Sequence, residues 1–133
     1  MKAKFPVSLN FIPFRTLVRG EFEDAIRLNR DFFYADSEYC DDVRIPAGFT
    51  SDGASVPRLL WRIYPPFGQY LEAAVVHDYF CVLGHRGESP IDYIAAAKVF
   101  REAMQVCGVN KWKRNKMYWA VRLGGPKFKA KKV

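Results

Sequence analysis

The sequence has no apolar run approaching the roughly 18 residues that a membrane-spanning helix needs. It has no Walker-type phosphate loop, no dinucleotide fingerprint and no internal repeat, so P-loop, Rossmann and solenoid readings have nothing to stand on. Cysteine is scarce: Cys40, Cys81 and Cys107 are an odd number without metal-ligand spacing, and they read as small buried hydrophobes of a chain made under reducing, cytosolic conditions. The basic start, Met1-Lys2-Ala3-Lys4-Phe5-Pro6, is not followed by the apolar stretch of a signal peptide. Histidine is rarer still, with only His77 and His85 in 133 residues. Acidic residues stop altogether after position 108. All 14 lie before it, with 12 of the 21 basic residues, so a nearly neutral body is followed by a segment, 109–133, of charge +9. Such a segment can meet nucleic acid, anionic lipid or an acidic protein surface, or can simply keep the chain soluble.

What is present argues for one folded domain. Half of the residues are hydrophobic and 16% are aromatic, which opposes disorder, and the length suffices for a core. Residues 1–50 read as strands and turns: Phe14 to Phe22 alternates in part, Asp31-Phe32-Phe33-Tyr34-Ala35 is aromatic-rich, and Val43-Arg44-Ile45-Pro46 is a short extended piece. Glu21 to Leu28 fits either a strand or a helical turn. From Ser55 the period becomes helical. A short helix capped by Ser55 is stopped by Pro65-Pro66, and a second runs from Gly68 to Leu83 with Gly84 as its end. A third takes Ser89 as cap, Pro90 as first residue and Gly108 as its terminating glycine, with Tyr93, Ala97, Phe100, Met104 and Cys107 as its apolar stripe. A fourth spans Asn110 to Leu123 with Trp112, Met117, Tyr118 and Val121 inward. Gly124-Gly125-Pro126 ends it, and 127–133 is expected to be a flexible basic tail. The expected fold is therefore α+β: a small N-terminal antiparallel sheet (strand-rich 1–50) packed with a three- to four-helix C-terminal half (55–124), as a single domain 1–126.

Chemistry concentrates in two stretches, Asp52-Gly53-Ala54-Ser55-Val56-Pro57-Arg58 and Ala73-Ala74-Val75-Val76-His77-Asp78-Tyr79. Alone, a His-Asp dipeptide most often means a satisfied core histidine beside a surface aspartate. Here Asp52 precedes a glycine in a turn, where side-chain and backbone oxygens can converge on a hard cation. Asp78 can supply another oxygen, and a neutral His77 can act as base on water. Asp52, Gly53 and Asp78 are thus candidate calcium ligands and His77 the candidate catalytic base, with Ser55, Tyr79 and Arg58 in support. A second candidate surface is the run of Lys111, Lys113, Arg114, Lys116, Lys127, Lys129, Lys131 and Lys132, where bases interleave with aromatics as phosphate contacts and stacking require. No recognised nucleic-acid motif accompanies it.

The ordered motifs Phe49-Thr50-Ser51-Asp52-Gly53-Ala54-Ser55-Val56-Pro57-Arg58, Pro65-Pro66-Phe67-Gly68, Ala73 to Tyr79, Glu102-Ala103-Met104 and Met117 to Gly124 resemble family 1353 of the domains of unknown function, over about residues 43 to 125. That family is common in tailed phages and prophages, so the resemblance implies a phage origin, synthesis in the host cytoplasm and a virion or host partner. More distantly, an Asp-Gly-x-Ser-x-x-Pro turn followed by a His-Asp helix is similar to bacterial secreted phospholipases of the A2 type. That likeness implies calcium held by Asp52, the Gly53 carbonyl and Asp78, with His77 activating water against an ester. The sequence also departs from it. Where both patterns carry an aspartate that orients the histidine, this chain has Ala97, and a methyl accepts no imidazole proton. Asp92, five residues earlier, lies on another helix face, and Cys81 stands where a tyrosine is expected. Three functions remain open: a phage structural or accessory protein that binds a partner and has weak or no turnover, a calcium-dependent esterase acting on the cell envelope, and a nucleic-acid-associated phage protein.

Overall fold

In a computed structural model, the chain is described at residues 2–18, 20–51 and 70–132. The short helix expected from Ser55 to Pro65, and with it Asp52, Gly53, Ser55 and Arg58, lies outside the described residues.

The N-terminal half is strand and the C-terminal half helix, an α+β arrangement. Strands β1 (Phe11–Val18) and β2 (Glu21–Leu28) form an antiparallel hairpin, Phe11 opposite Leu28 and Val18 opposite Glu21. Gly20 turns the chain with φ +83°, a left-handed value that a residue without Cβ adopts at no steric cost. Glu21 to Leu28 is therefore strand and not helix, and the alternation read across Phe14 to Phe22 spans the turn. Strand β5 (Thr50–Ser51) adds to the other edge of β2, with Ile26 opposite Ser51. A separate ribbon pairs β3 (Phe32–Tyr34) with β4 (Val43–Ile45). Its alternation sends Phe32, Tyr34, Val43 and Ile45 inward, where Phe5 stacks on Phe32, and turns Arg44 outward to Asp31.

Among the described residues, three helices close the core. Helix α1 (Leu71–His85) buries Ala73 to Asp78 as one uninterrupted stretch, so it is buried nearly all round, and it packs on both β5 and α2. Helix α2 (Tyr93–Val106) buries Ala96, Ala97, Val99, Phe100, Ala103 and Met104, and helix α3 (Lys111–Gly124) packs against it. The alanines on α1 and α2 keep these contact faces low.

The helix ends explain two departures from the sequence reading. Gly84 does not stop α1; it lies inside the last turn. The stop comes at Gly87, φ +72°, where Glu88 N–H reaches the Leu83 carbonyl (2.8 Å) and Gly87 N–H that of Gly84 (3.1 Å), the two bonds of a Schellman motif. The α2 cap is Asp92, whose Oδ1 accepts from Ala95 N–H at 2.8 Å, and not Ser89. The Ser89 hydroxyl is spent on a local turn, donating to the Ile91 carbonyl at 2.6 Å. Gly108 does terminate α2 as expected, φ +81°, with Val109 N–H on Met104 O. Asn110 then caps α3, accepting from Lys113 N–H at 2.9 Å.

The segment after α3 does not hang free as a tail. Tyr93 N–H bonds the Phe128 carbonyl (3.0 Å), Lys131 N–H bonds Ser89 O (2.7 Å), and the Phe128 ring packs against the core. Gly84 is what admits that ring: a Cβ there would overlap the Phe128 ring carbons. Gly84→Ala is therefore expected to expel Phe128 and cost about 1–3 kcal/mol through overpacking. In a Phe128→Ala background the same change should be neutral or stabilise by up to about 1 kcal/mol, since alanine is the better helix former. Urea denaturation of the four proteins measures both numbers.

Candidate functional site

Three consecutive residues of α1 face three different neighbours, because each step turns about 100°. His77 faces α2: its ring stacks on Phe100 with centroids 4.9 Å apart and planes 26° from parallel. Among the described residues, its nitrogens meet only the Cys81 Sγ, 3.9 Å from each. The ring is 3% exposed, and burial, which penalises the charged form, pulls its pKa from 6.5 down to about 4. His77 is thus a neutral imidazole at physiological pH. Asp78 faces the sheet, buried, and accepts a hydrogen bond from the Ser51 hydroxyl at the end of β5. Tyr79 meets Phe49 edge-on, ring centroids 5.4 Å apart.

Asp78 and the end of β5 are therefore brought together, while His77 faces α2. Residue 51 touches Asp78, although 27 positions separate them. Asp52, Gly53, Ser55 and Arg58 fall outside the described residues, so the metal set read from the sequence is placed only at Asp78, the base only at His77, and the supporting set only at Tyr79. Among the described residues no three His, Cys, Asp or Glu side chains are grouped to hold a metal ion. Ala97 is buried on α2 one turn before Phe100, the ring that stacks on His77. All three thiols are partly buried, and burial raises each pKa, that of Cys107 to about 12, so they are protonated at neutral pH.

The basic residues surround α3. Lys98 and Arg101 of α2 and Lys111 and Arg114 of α3 line a cleft of about 320 Å³, shared with Glu38, Tyr39 and Glu102. Arg101 sits over the Tyr118 ring at 4.1 Å, and Lys113 over Tyr70 at 5.6 Å. Lys116, Lys129, Lys131 and Lys132 are exposed, and Lys127 Nζ returns to the Leu123 carbonyl at 3.0 Å. Trp112 corrects the sequence reading, since it is 82% exposed and not part of the inward face. Met117, Tyr118 and Val121 do point inward.

One residue of structural weight was missed as a site. Glu102 is buried on α2, its Oε1 taking the Tyr34 hydroxyl (2.6 Å) and its Oε2 the Glu38 N–H (3.0 Å). It fastens the ribbon and the loop joining its two strands to the helices. Its only sequence signal was its place in the Glu102-Ala103-Met104 motif.

An α+β protein with a buried histidine–aspartate pair on its central helix and a cationic last helix is what these elements define. The chain belongs to the family described as Protein of unknown function (DUF1353), which matches residues 26–121. It is also 38% identical over 114 residues to the uncharacterized protein y4jT of Sinorhizobium fredii (strain NBRC 101917 / NGR234), a stretch covering 80% of this chain and 32% of that protein. The chain thus spans about a third of the length of this curated relative. No solved structure matches it. No described helix is long and apolar enough to cross a membrane.

Proposed function

We propose that this chain is a structural or accessory protein of tailed phages that works by binding a virion or host partner, with weak or no turnover of its own. The observation that carries this reading is the setting of His77. A base that activates water needs a partner to fix its tautomer and a path to solvent. Among the described residues His77 has instead a stacked phenylalanine and a thiol 3.9 Å away, and it is 3% exposed. The cationic surface of α3 supports a binding role, because 109–133 holds nine basic residues and no acid. Incubation with calcium and a micellar phospholipid is expected to give no hydrolysis above that of a His77→Ala protein, while the wild-type chain co-purifies with virions or with a host factor. Calcium-dependent turnover that His77→Ala abolishes overturns the proposal.

A second reading keeps a specific observation in its favour. The contact between Ser51 and Asp78 supports a calcium-dependent esterase acting on the cell envelope, since Ser51 is the residue before Asp52 in the chain. The same assay decides between the two. A nucleic-acid partner is the third reading; there, binding to DNA should weaken steeply with salt and with loss of 127–133.

A further inference from the structure

Helix α3 has two faces that serve different purposes. Met117, Tyr118 and Val121 enter the core. On the opposite side stand Trp112, Trp119 and Leu123, which are 82%, 50% and 69% exposed. Their spacing is seven and four residues, and at 100° per residue all three fall within an arc of about 40°. Lys116 lies just beside this arc, about 40° from Trp112, and the stripe runs about 16 Å along the axis at 1.5 Å per residue. Single exposed apolar residues are ordinary, but two tryptophans and a leucine in one line are not.

The charged residues beside the stripe carry one sign. Lys111 and Lys113 flank it near its start and Arg122 near its end, where the Arg122 guanidinium rests 5.1 Å from the centroid of Trp119. No acidic residue occurs anywhere in 109–133. Apolar rings on one line, cations on both flanks and no anion are the features of a helix that lies in the plane of a membrane interface. The rings settle among headgroups and the lysines and arginine meet lipid phosphates. A polyanion such as DNA would use the cations but leave Leu123 without a partner.

We infer that α3 is a peripheral membrane-docking helix, with Trp112, Trp119 and Leu123 as its inserting stripe and an anionic bilayer surface as its ligand. The inference rests on the binding-protein reading above and names the partner. Its test is independent of hydrolysis, so either can fail without the other.

The full chain is mixed with vesicles of phosphatidylcholine alone or with phosphatidylglycerol, and binding is followed by flotation and by tryptophan emission. Binding to the anionic vesicles is expected, with a blue shift, quenching by brominated acyl chains and weakening at high salt. Trp112→Ser with Trp119→Ser should lower the partition coefficient about tenfold or more, and Lys116→Glu should lower it as well. These side chains point away from the core, and circular dichroism checks that the variants stay folded. Failure to bind anionic vesicles, or binding that the double variant retains, overturns the inference. So does binding to DNA in preference to lipid, or a self-associated dimer in which the tryptophans are already shielded before lipid is added.

Discussion

Lowering the pH from 7 to 4 is expected to cost the folded chain about 3 kcal/mol through His77 alone, and His77→Phe to remove that part of the acid response. The folded chain holds His77 neutral until about pH 4 because burial penalises the imidazolium, whereas the unfolded chain protonates it near 6.5. Between those values the unfolded state binds one proton more, so acid favours unfolding. The loss begins as the pH falls through 6.5 and is complete near 4, where both states are protonated. A shift of about 2.5 units corresponds to about 3 kcal/mol. Phenylalanine keeps the ring that stacks on Phe100 and cannot take the proton. The absolute stability of His77→Phe depends on how well the new ring repacks beside Cys81, so the quantity to compare is the slope of stability against pH, from urea denaturation at several pH values. A variant as acid-sensitive as the wild type in this window would show that His77 already has access to water. That result would also favour its role as a base.

The sequence made this site half legible. Burial of His77 followed from the alanines and valines around it, and the divergence of His77 and Asp78 from the 100° step between neighbours. What faces each of them did not follow, because the contacts are long-range: Phe100 comes from another helix and Ser51 from a strand 27 residues before Asp78. The same division runs through the fold. Gly108 and Asn110 were readable because a left-handed glycine and an N-cap act within a few residues. Gly84 looked like a helix stop by the same local rule, yet it is there to admit Phe128, 44 positions later. Ser89 was the cap read from the sequence, but its hydroxyl is held by the Ile91 carbonyl and Asp92 caps the helix instead. Trp112 was assigned inward by its hydrophobicity, although five residues from Met117 is about 140° around the helix. Angular position was the better guide than residue type. The exposed stripe it joins is now the most distinctive surface feature of α3.

Glu102→Ala is expected to be strongly destabilising, at about 3–5 kcal/mol. Three costs combine. The buried Tyr34 hydroxyl loses its acceptor, and a buried donor left unmet costs about 1–3 kcal/mol. The Glu38 N–H also loses its acceptor but lies nearer water, so its loss costs less. The shortened side chain also leaves a void at the junction of α2 with the ribbon, whose inward residues Phe32, Tyr34, Val43 and Ile45 belong to the core. The series of variants apportions these terms. Glu102→Gln keeps the shape and one acceptor oxygen but puts an NH2 group against a donor, so it should fall between wild type and alanine. Tyr34→Phe removes one donor and one bond together, leaving Glu102 its bond from Glu38, and should cost less than either change at Glu102. In a Glu102→Ala background, Tyr34→Phe should cost almost nothing, since the hydroxyl has already lost its partner, and a coupling energy of about 1–3 kcal/mol is expected from the cycle. Additive effects would mean that the two groups do not depend on each other. The distance of 2.6 Å between them predicts the opposite. Because Glu102 also floors the cationic cleft between α2 and α3, hydrogen exchange in these proteins should show the ribbon and the 35–42 loop opening before α1 does.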